Sequence, residues 1–418
     1  MQKLEVFGGK SLRGTIKISG SKNASLPILA ATLLSKKKVQ IKNLPKVNDV
    51  KTMVSLLESL GSSIRYKKNK VFINNSKQFK NLAAYKLVKT MRAGILVLGP
   101  LLTKFGSAKV SLPGGCAIGA RPVDLHLKAL SKLGMKYRID RGYIHASAPN
   151  GLVGSKIRFS KISVGATENL IIASSMAKGE TILSNCAIEP EIKDLVKFLN
   201  KMGSNIKWIS RRSLKIIGVK KIRDTSYKVM FDRIEAGTYL IAGALTQGDL
   251  IVKNIQPSVI SNEVEILKKI GAKIIIKKDY VRISGVQKIK KVNIKTAPYP
   301  GFPTDLQAQI MVLLCKCEKN SYIKEEIFEN RFMHVSELNR MNAKISINKN
   351  KAMVRGGIIF KGAELTATDL RASVSLILAA LAAEGKSIIS RIYHLDRGYE
   401  NLEMKLKKVG AKIRRIYE

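Results

Sequence analysis

The chain repeats one short phrase six times. SLGSSIRY (59–66), KLGMKYRI (132–139), KMGSNIKW (201–208), KIGAKIII (269–276), RMNAKISI (340–347) and KVGAKIRR (408–415) share a pivot followed by alternating apolar residues. The pivots are Gly61, Gly134, Gly203, Gly271, Asn342 and Gly410, spaced 73, 69, 68, 71 and 68 residues apart. Glycine, or asparagine in one copy, is what a left-handed helix C-cap requires, and alternation with period two marks a strand. Upstream of most pivots runs a second signature, a helix of small apolar residues, a turn and a strand: ASLPILAATLLSKKKVQI, ENLIIASSMAKGETIL, AGTYLIAGALTQGDLIV and ASVSLILAALAAEGKSII. Each unit therefore reads helix, strand, connection, helix, strand. That predicts an α/β chain of α+β repeats, helices packed on small sheets rather than a doubly wound sheet, with six units making two domains of three. Helices made of Ala, Leu, Ile and Ser on every face are expected at a domain's centre.

Bulk properties fit this frame. A length of 418 residues predicts two or three domains, and 45% hydrophobic content with mean hydropathy near zero predicts a globular chain. MQKLEVFGGKSLRG carries charge where a signal peptide needs an apolar run, and 372–383 is too short to span a bilayer, so a cytoplasmic protein without membrane insertion is expected. Four cysteines, at 116, 186, 315 and 317, form no disulfide framework. The net charge of +45 is the outlying property. Its cations are scattered (Lys36 to Lys38, Lys67, Lys68, Lys70, Lys290, Lys291, Lys405, Lys407, Lys408) and accompany no nucleic-acid-binding motif, so they read as a solvated face that speeds capture of small anions.

Chemistry concentrates in LPGGCAIGARPVDL (112–125). Gly114 and Gly115 permit a close backbone approach to a ligand, and Pro122 suits the first turn of a helix, with Arg121 at its entrance and Asp124 within it. A thiol near a guanidinium and free helix N–H groups is biased toward thiolate, which makes Cys116 a nucleophile or a proton donor; a small buried hydrophobe is the other reading. Charged residues also recur at or near the start of the small-residue helices: Lys22, Arg92, Glu168, Glu235, Asp305 and Arg371. Helix N-termini offer unpaired N–H donors and partial positive charge, so a set facing one space suits phosphate-bearing ligands; acidic residues there also serve as ordinary caps.

PGGCAIGARPVDLH closely resembles the cysteine loop of the UDP-N-acetylglucosamine enolpyruvyl transferases. SGSKNASLPILAA (19–31), MRAG (91–94), KISVGATEN (161–169), FPTDLQAQ (302–309), ENRF (329–332) and HLDRGYENLE (394–403) resemble the family's other blocks in order, over essentially the whole chain. The resemblance implies two inverted α/β barrel domains with internal helices, one over 22–229 and the other combining 1–21 with 230–418, with the active site in the cleft between. It implies transfer of the enolpyruvyl group of phosphoenolpyruvate to the 3′-hydroxyl of UDP-N-acetylglucosamine in the first committed step of peptidoglycan synthesis, releasing phosphate, with no cofactor and no metal. Cys116 then matches the acid that protonates the methylene carbon and Asp305 the base for the sugar hydroxyl, while Lys22 and Arg397 complete the catalytic set. Lys22, Asn23, Arg121, Arg331, Arg371 and Arg397 match phosphoenolpyruvate contacts. Asn23, Arg92, Arg121, Pro122, Val123, Asp124, Leu125, Lys161, Ile162, Ser163, Val164, Asp305 and Ile327 match contacts to the nucleotide sugar. One extra residue precedes position 92 relative to the family's common spacing and is compensated before Asp305.

Three other readings are open to the same residues. The sister activity on shikimate 3-phosphate lacks the cysteine loop. Cys315 and Cys317 with His334 offer a CxC pair without the second thiol pair that a zinc site commonly has, inside a stretch that reads as helix core. A nucleic-acid-binding role rests on charge alone.

Overall fold

The computed structural model describes residues 2–36, 38–67, 70–75, 80–114, 123–286 and 288–417. Its described residues fall into two compact units, 2–19 with 231–417, and 20–114 with 123–230. Each unit holds three four-stranded sheets of one plan: a short edge strand runs parallel to its neighbour and an antiparallel pair completes the sheet, a hairpin in five of the six and Gln2–Phe7 with Lys412–Tyr417 in the sixth.

In the 20–230 unit one sheet orders Lys156–Arg158, Glu180–Ser184, Ser213–Ile217 and Asn205–Ser210. The first pair is parallel and the other two are antiparallel, with Leu183 facing Leu214 and Ile206 facing Ile216 in the register. Both other sheets in this unit repeat the plan, and the first is closed by Thr225–Lys228, which lies parallel to Lys38–Lys42. In the second unit the N-terminal strand Gln2–Phe7 enters between Lys386–Ser390 and Lys412–Tyr417, antiparallel to both.

The repeat is thus longer than the expected helix, strand, connection, helix, strand. A parallel edge strand and a second antiparallel strand join each copy. The edge strands Leu82–Ala83 and Ile294–Lys295 have two residues and Lys156–Arg158 three, too few to show alternation in a sequence.

Inside these sheets lie the small-residue helices, Lys22–Ala31, Val164–Ser174, Arg233–Leu245, Gln307–Leu314 and Leu370–Leu381. Ala24 to Ala31, Ala166 to Ser174 and every residue of the last three are buried, as a stripe of Ala, Leu, Ile and Ser without a polar side requires. Helices inside and sheets outside invert the usual barrel. Four of these helices begin on a side-chain cap: Ser21 accepts from Ala24 N, Ser163 from Ala166 N, Asp232 from Ile234 N and Glu235 N, and Asp369 from Arg371 N and Ala372 N.

On the outward faces the alternation places cations side by side. Lys42, Lys70 and Lys67 form one cross-strand row.

All six pivots adopt the left-handed conformation, with φ of 110°, 99°, 96°, 106°, 72° and 100° in chain order. At Gly134 an added Cβ would meet nothing nearer than Gly151 O at 3.9 Å, so its cost is backbone strain alone. Gly134→Ala is expected to destabilise the 20–230 unit by about 1–2 kcal/mol, whereas Asn342→Gly is expected to leave stability of the second unit equal or slightly raised; the midpoints of urea unfolding check both.

Candidate active site

In the 20–230 unit the capped start of Lys22–Ala31 presents Lys22 and Asn23, both half-buried. Lys22 Nζ lies 3.4 Å from Asp49 Oδ2, and Asp49 itself is buried. This helix packs on the turn Arg92–Val97, which opens with the half-buried Arg92.

The segment that leaves the cysteine loop is described from Val123 onward. Val123 is buried, Asp124 is the exposed first residue of the helix Asp124–Lys132, and Leu125 is half-buried. Next to them His126 packs against the start of Val164–Ser174, where a Cβ on Gly165 would stand 3.2 Å from its ring. Lys161 and Val164 there are exposed, and Ile162 and Ser163 half-buried.

Asn169 binds these pieces together. Its Oδ1 accepts from Gly99 N at 2.9 Å, so its amide nitrogen is the end that faces Ile95 O at 3.1 Å and His126 Nδ1 at 3.2 Å. That assignment makes Nδ1 an acceptor and leaves the ring proton on Nε2. Burial, then the nearby charge of Arg92, lowers the His126 pKa to about 4, so the ring is neutral at physiological pH. Arg92, the 123–126 segment and the 163–169 segment are thereby brought together.

The second unit assembles another cluster. Asp305 sits in the turn Thr304–Leu306 before the buried helix Gln307–Leu314. Arg331 Nη2 approaches its Oδ1 at 2.7 Å and Arg371 Nη2 its Oδ2 at 2.8 Å. Both arginines are buried. Burial works against the charge of Arg371, yet Asp305, then Tyr399 and Asp232, outweigh it and hold the guanidinium above its usual pKa. Buried Glu325 staples the neighbouring backbone, because Thr304 Oγ1 donates to its Oε2 at 3.0 Å and the N–H groups of Ile327 and Phe328 donate to its Oε1 at 2.8 and 3.2 Å. Ile327 therefore lies beside the Asp305 turn. Arg397 closes the turn Ile392–Arg397 and is half-buried.

Cys116, Arg121 and Pro122 lie outside the described residues. Of the six charged residues expected near helix starts, Glu168 sits a full turn in, as the fifth residue of Val164–Ser174, and is buried. Desolvation, with Glu191 and Glu189 nearby, raises its pKa well above the usual carboxyl value. Cys315, Cys317 and His334 are all buried, and among the described residues no group of three or more His, Cys, Asp or Glu is placed to hold a metal ion. Glu325, Asn169, His126 and Tyr399 were not singled out by sequence reasoning. The signal for His126 lay in its position, one residue past the expected nucleotide-sugar contacts, and that for Asn169 and Tyr399 in the blocks KISVGATEN and HLDRGYENLE that contain them; Glu325 carries none.

The family EPSP synthase (3-phosphoshikimate 1-carboxyvinyltransferase) matches residues 6–406. Over 416 residues covering all of both chains, this one is 70% identical to the UDP-N-acetylglucosamine 1-carboxyvinyltransferase of Pelagibacter ubique. The chain belongs to the EPSP synthase family, in its UDP-N-acetylglucosamine 1-carboxyvinyltransferase branch. Another member of that branch, from Rickettsia prowazekii, is 51% identical over 420 residues, again with all of both chains covered. Among solved EPSP synthase-like folds, the enolpyruvyl transferase NikO from Streptomyces tendae superposes with a TM-score of 0.91 at 24% identity, covering 99% of this chain and 98% of that one. EPSP synthase from Acinetobacter baumannii superposes over the full length of both chains with a TM-score of 0.78 at 16% identity. These likenesses establish the mixed α/β, two-domain fold of the enolpyruvyl transferases. Among the described residues no helix is long and apolar enough to cross a membrane.

Burial raises the thiol pKa of Cys186 and Cys315 to about 12 and that of Cys317 to about 11. At pH 8 all three are protonated and shielded, so iodoacetamide is expected to modify no more than Cys116 in the native protein and all four cysteines after denaturation; peptide mass spectrometry reads the sites.

Burial likewise lowers the pKa of His334 to about 4, with Asp369 opposing and Arg331 reinforcing the shift. Both His126 and His334 have folded values below the ordinary 6.5. Their contribution to stability is present above 6.5 and is lost as pH falls toward 4. Urea midpoints are expected to fall across that window, and to fall less in His126→Gln.

Proposed function

We propose that the chain transfers the enolpyruvyl group of phosphoenolpyruvate to the 3′-hydroxyl of UDP-N-acetylglucosamine and releases inorganic phosphate, as a cytoplasmic step of peptidoglycan precursor synthesis. The observation that carries this reading is the 70% identity, end to end, with a UDP-N-acetylglucosamine 1-carboxyvinyltransferase. The Asp305, Arg331 and Arg371 cluster supports it, since two planar guanidiniums around a carboxylate form the arrangement that recognises a carboxylate or phosphate ligand.

In the addition step the sugar hydroxyl attacks C2 of phosphoenolpyruvate while C3 takes a proton, giving a tetrahedral ketal. Elimination then returns a proton from C3 and expels phosphate. Cys116 is assigned as the acid for C3, with addition of its thiolate to C2 as a further possibility of the same group, and Asp305 as the base for the hydroxyl. Lys22, Arg121 and Arg397 are assigned to the phosphate of phosphoenolpyruvate, with Arg331 and Arg371 beside them on the same substrate, where preorganised cations stabilise the redistributing charge. Asn23 is shared by the two substrates. Arg92, residues 121 to 125, residues 161 to 164, Asp305 and Ile327 are assigned to the nucleotide sugar. The assignments draw on residues of both units. The surface charge serves capture of anions, and no specific nucleic-acid partner is assigned.

Phosphate release is expected to require both substrates, and release with shikimate 3-phosphate in place of the nucleotide sugar would overturn the acceptor assignment. Cys116→Ser is expected to abolish turnover while Cys116→Asp keeps part of it, because a carboxylic acid can still deliver a proton. Asp305→Asn is expected to lower kcat about 10²- to 10⁴-fold, the usual contribution of a positioned base.

A further inference from the structure

Behind Arg371 the hydrogen-bond directions are fixed by counting protons. Thr238 Oγ1 lies 2.8 Å from Ile234 O, which can only accept, so the single hydroxyl proton of Thr238 is used there. Tyr399 Oη is 2.9 Å from Thr238 Oγ1, and of the two it must be the donor. The phenol oxygen is left to accept, from Arg371 Nη1 at 3.2 Å and Gln309 Nε2 at 3.3 Å. Gln309 Nε2 gives one of its two protons to the backbone oxygen of Asp305 at 2.9 Å and shares the other between Tyr399 Oη and Thr238 Oγ1, the latter 3.2 Å away. Tyr399 is 3% exposed, and its burial raises the phenol pKa, so the hub stays neutral.

A guanidinium is planar and rigid, so fixing one of its nitrogens sets where the others point. With Nη1 on Tyr399, Nη2 of Arg371 meets Asp305 Oδ2. The Arg371 guanidinium also lies over the Tyr399 ring, 5.6 Å from its centroid. The geometry points to Tyr399 as a positioning residue for enolpyruvyl transfer, acting through Arg371: its phenol oxygen fixes the orientation of the guanidinium that is assigned to phosphoenolpyruvate. This rests on the assignment of Arg371 to that substrate. A tyrosine present only to fill space would need its ring and not its oxygen.

Steady-state kinetics on the full chain separate the two roles. Tyr399→Phe keeps the ring and removes the acceptor; it is expected to raise KM for phosphoenolpyruvate about tenfold or more, the scale of one hydrogen bond to a charged group, with KM for the nucleotide sugar within about twofold. Thr238→Val leaves the phenol oxygen in place and is expected to change KM for phosphoenolpyruvate by less than about twofold. In an Arg371→Lys background, which has lost the fork, Tyr399→Phe is expected to add nothing further. Equal losses in Tyr399→Phe and Thr238→Val, or additive losses in the double variant, would overturn the positioning role. Should Tyr399→Phe fail to fold, Gln309→Met removes the hub's other donor and takes its place in the same cycle, with non-additivity expected and additivity again decisive against. An active wild type whose Tyr399→Phe variant keeps its KM overturns the positioning role alone, whereas a wild type releasing no phosphate from the two substrates overturns the functional reading beneath it.

Discussion

A helix buried on every face has no solvent to satisfy its first N–H groups, so something in the chain must accept from them. Here Ser21, Ser163, Asp232 and Asp369 do so, and each sits directly before a helix whose next residues include one of those expected to carry chemistry or charge. The cap fixes the start of the helix, and the start of the helix fixes Lys22, Glu235 or Arg371. Lys22, Glu235 and Arg371 then stand on elements whose own orientation is set by packing on all sides.

Much of this was legible in the residues. Left-handed caps show themselves because only glycine or asparagine tolerates them cheaply, and the all-apolar helices because no polar stripe interrupts ASVSLILAALAA or AGTYLIAGAL. The edge strands were not legible, since two or three residues carry no period. The place of Gln2–Phe7, whose partners lie nearly the whole chain away, was legible only through the family resemblance, which joined 1–21 to 230–418, and not in the pattern itself. In the candidate site, motifs identified Asp305, Arg331 and Arg371 one by one, but no spacing announces that both oxygens of one carboxylate are held by two guanidiniums. Asn169 and Glu325 were not singled out for a related reason: a buried amide or carboxylate that ties the backbone of one segment to a side chain of another looks, in a sequence, like any other polar residue.

The cations divide into two populations that obey different physics. Arg331, Arg371, Arg233 and Lys22 are buried or nearly so and approach Asp305, Glu263 and Asp49, as charges removed from water must. Those in rows such as Lys42, Lys70 and Lys67 face outward, where like charges set side by side oppose sheet formation and salt weakens the opposition. Among the described residues only Arg233, Arg331 and Arg371 of the cations are buried, so the net charge of +45 is carried by side chains that reach water, on helices and connections as well as on strands. The candidate-site cations Lys22, Arg331 and Arg371 belong to the first population.

The N-terminal strand has a bearing on how the protein is made. Gln2–Phe7 pairs with Lys412–Tyr417 and Arg13–Lys17 with Asp249–Lys253, so both strands wait for partners made after the whole of residues 20 to 230. Residues 20 to 230, by contrast, contain every strand their three sheets need and can close while translation continues. The nascent chain therefore carries Gln2–Phe7 unmatched beside a finished unit until the 412–417 strand is made, with the row of unpaired N–H and C=O groups that a lone strand presents.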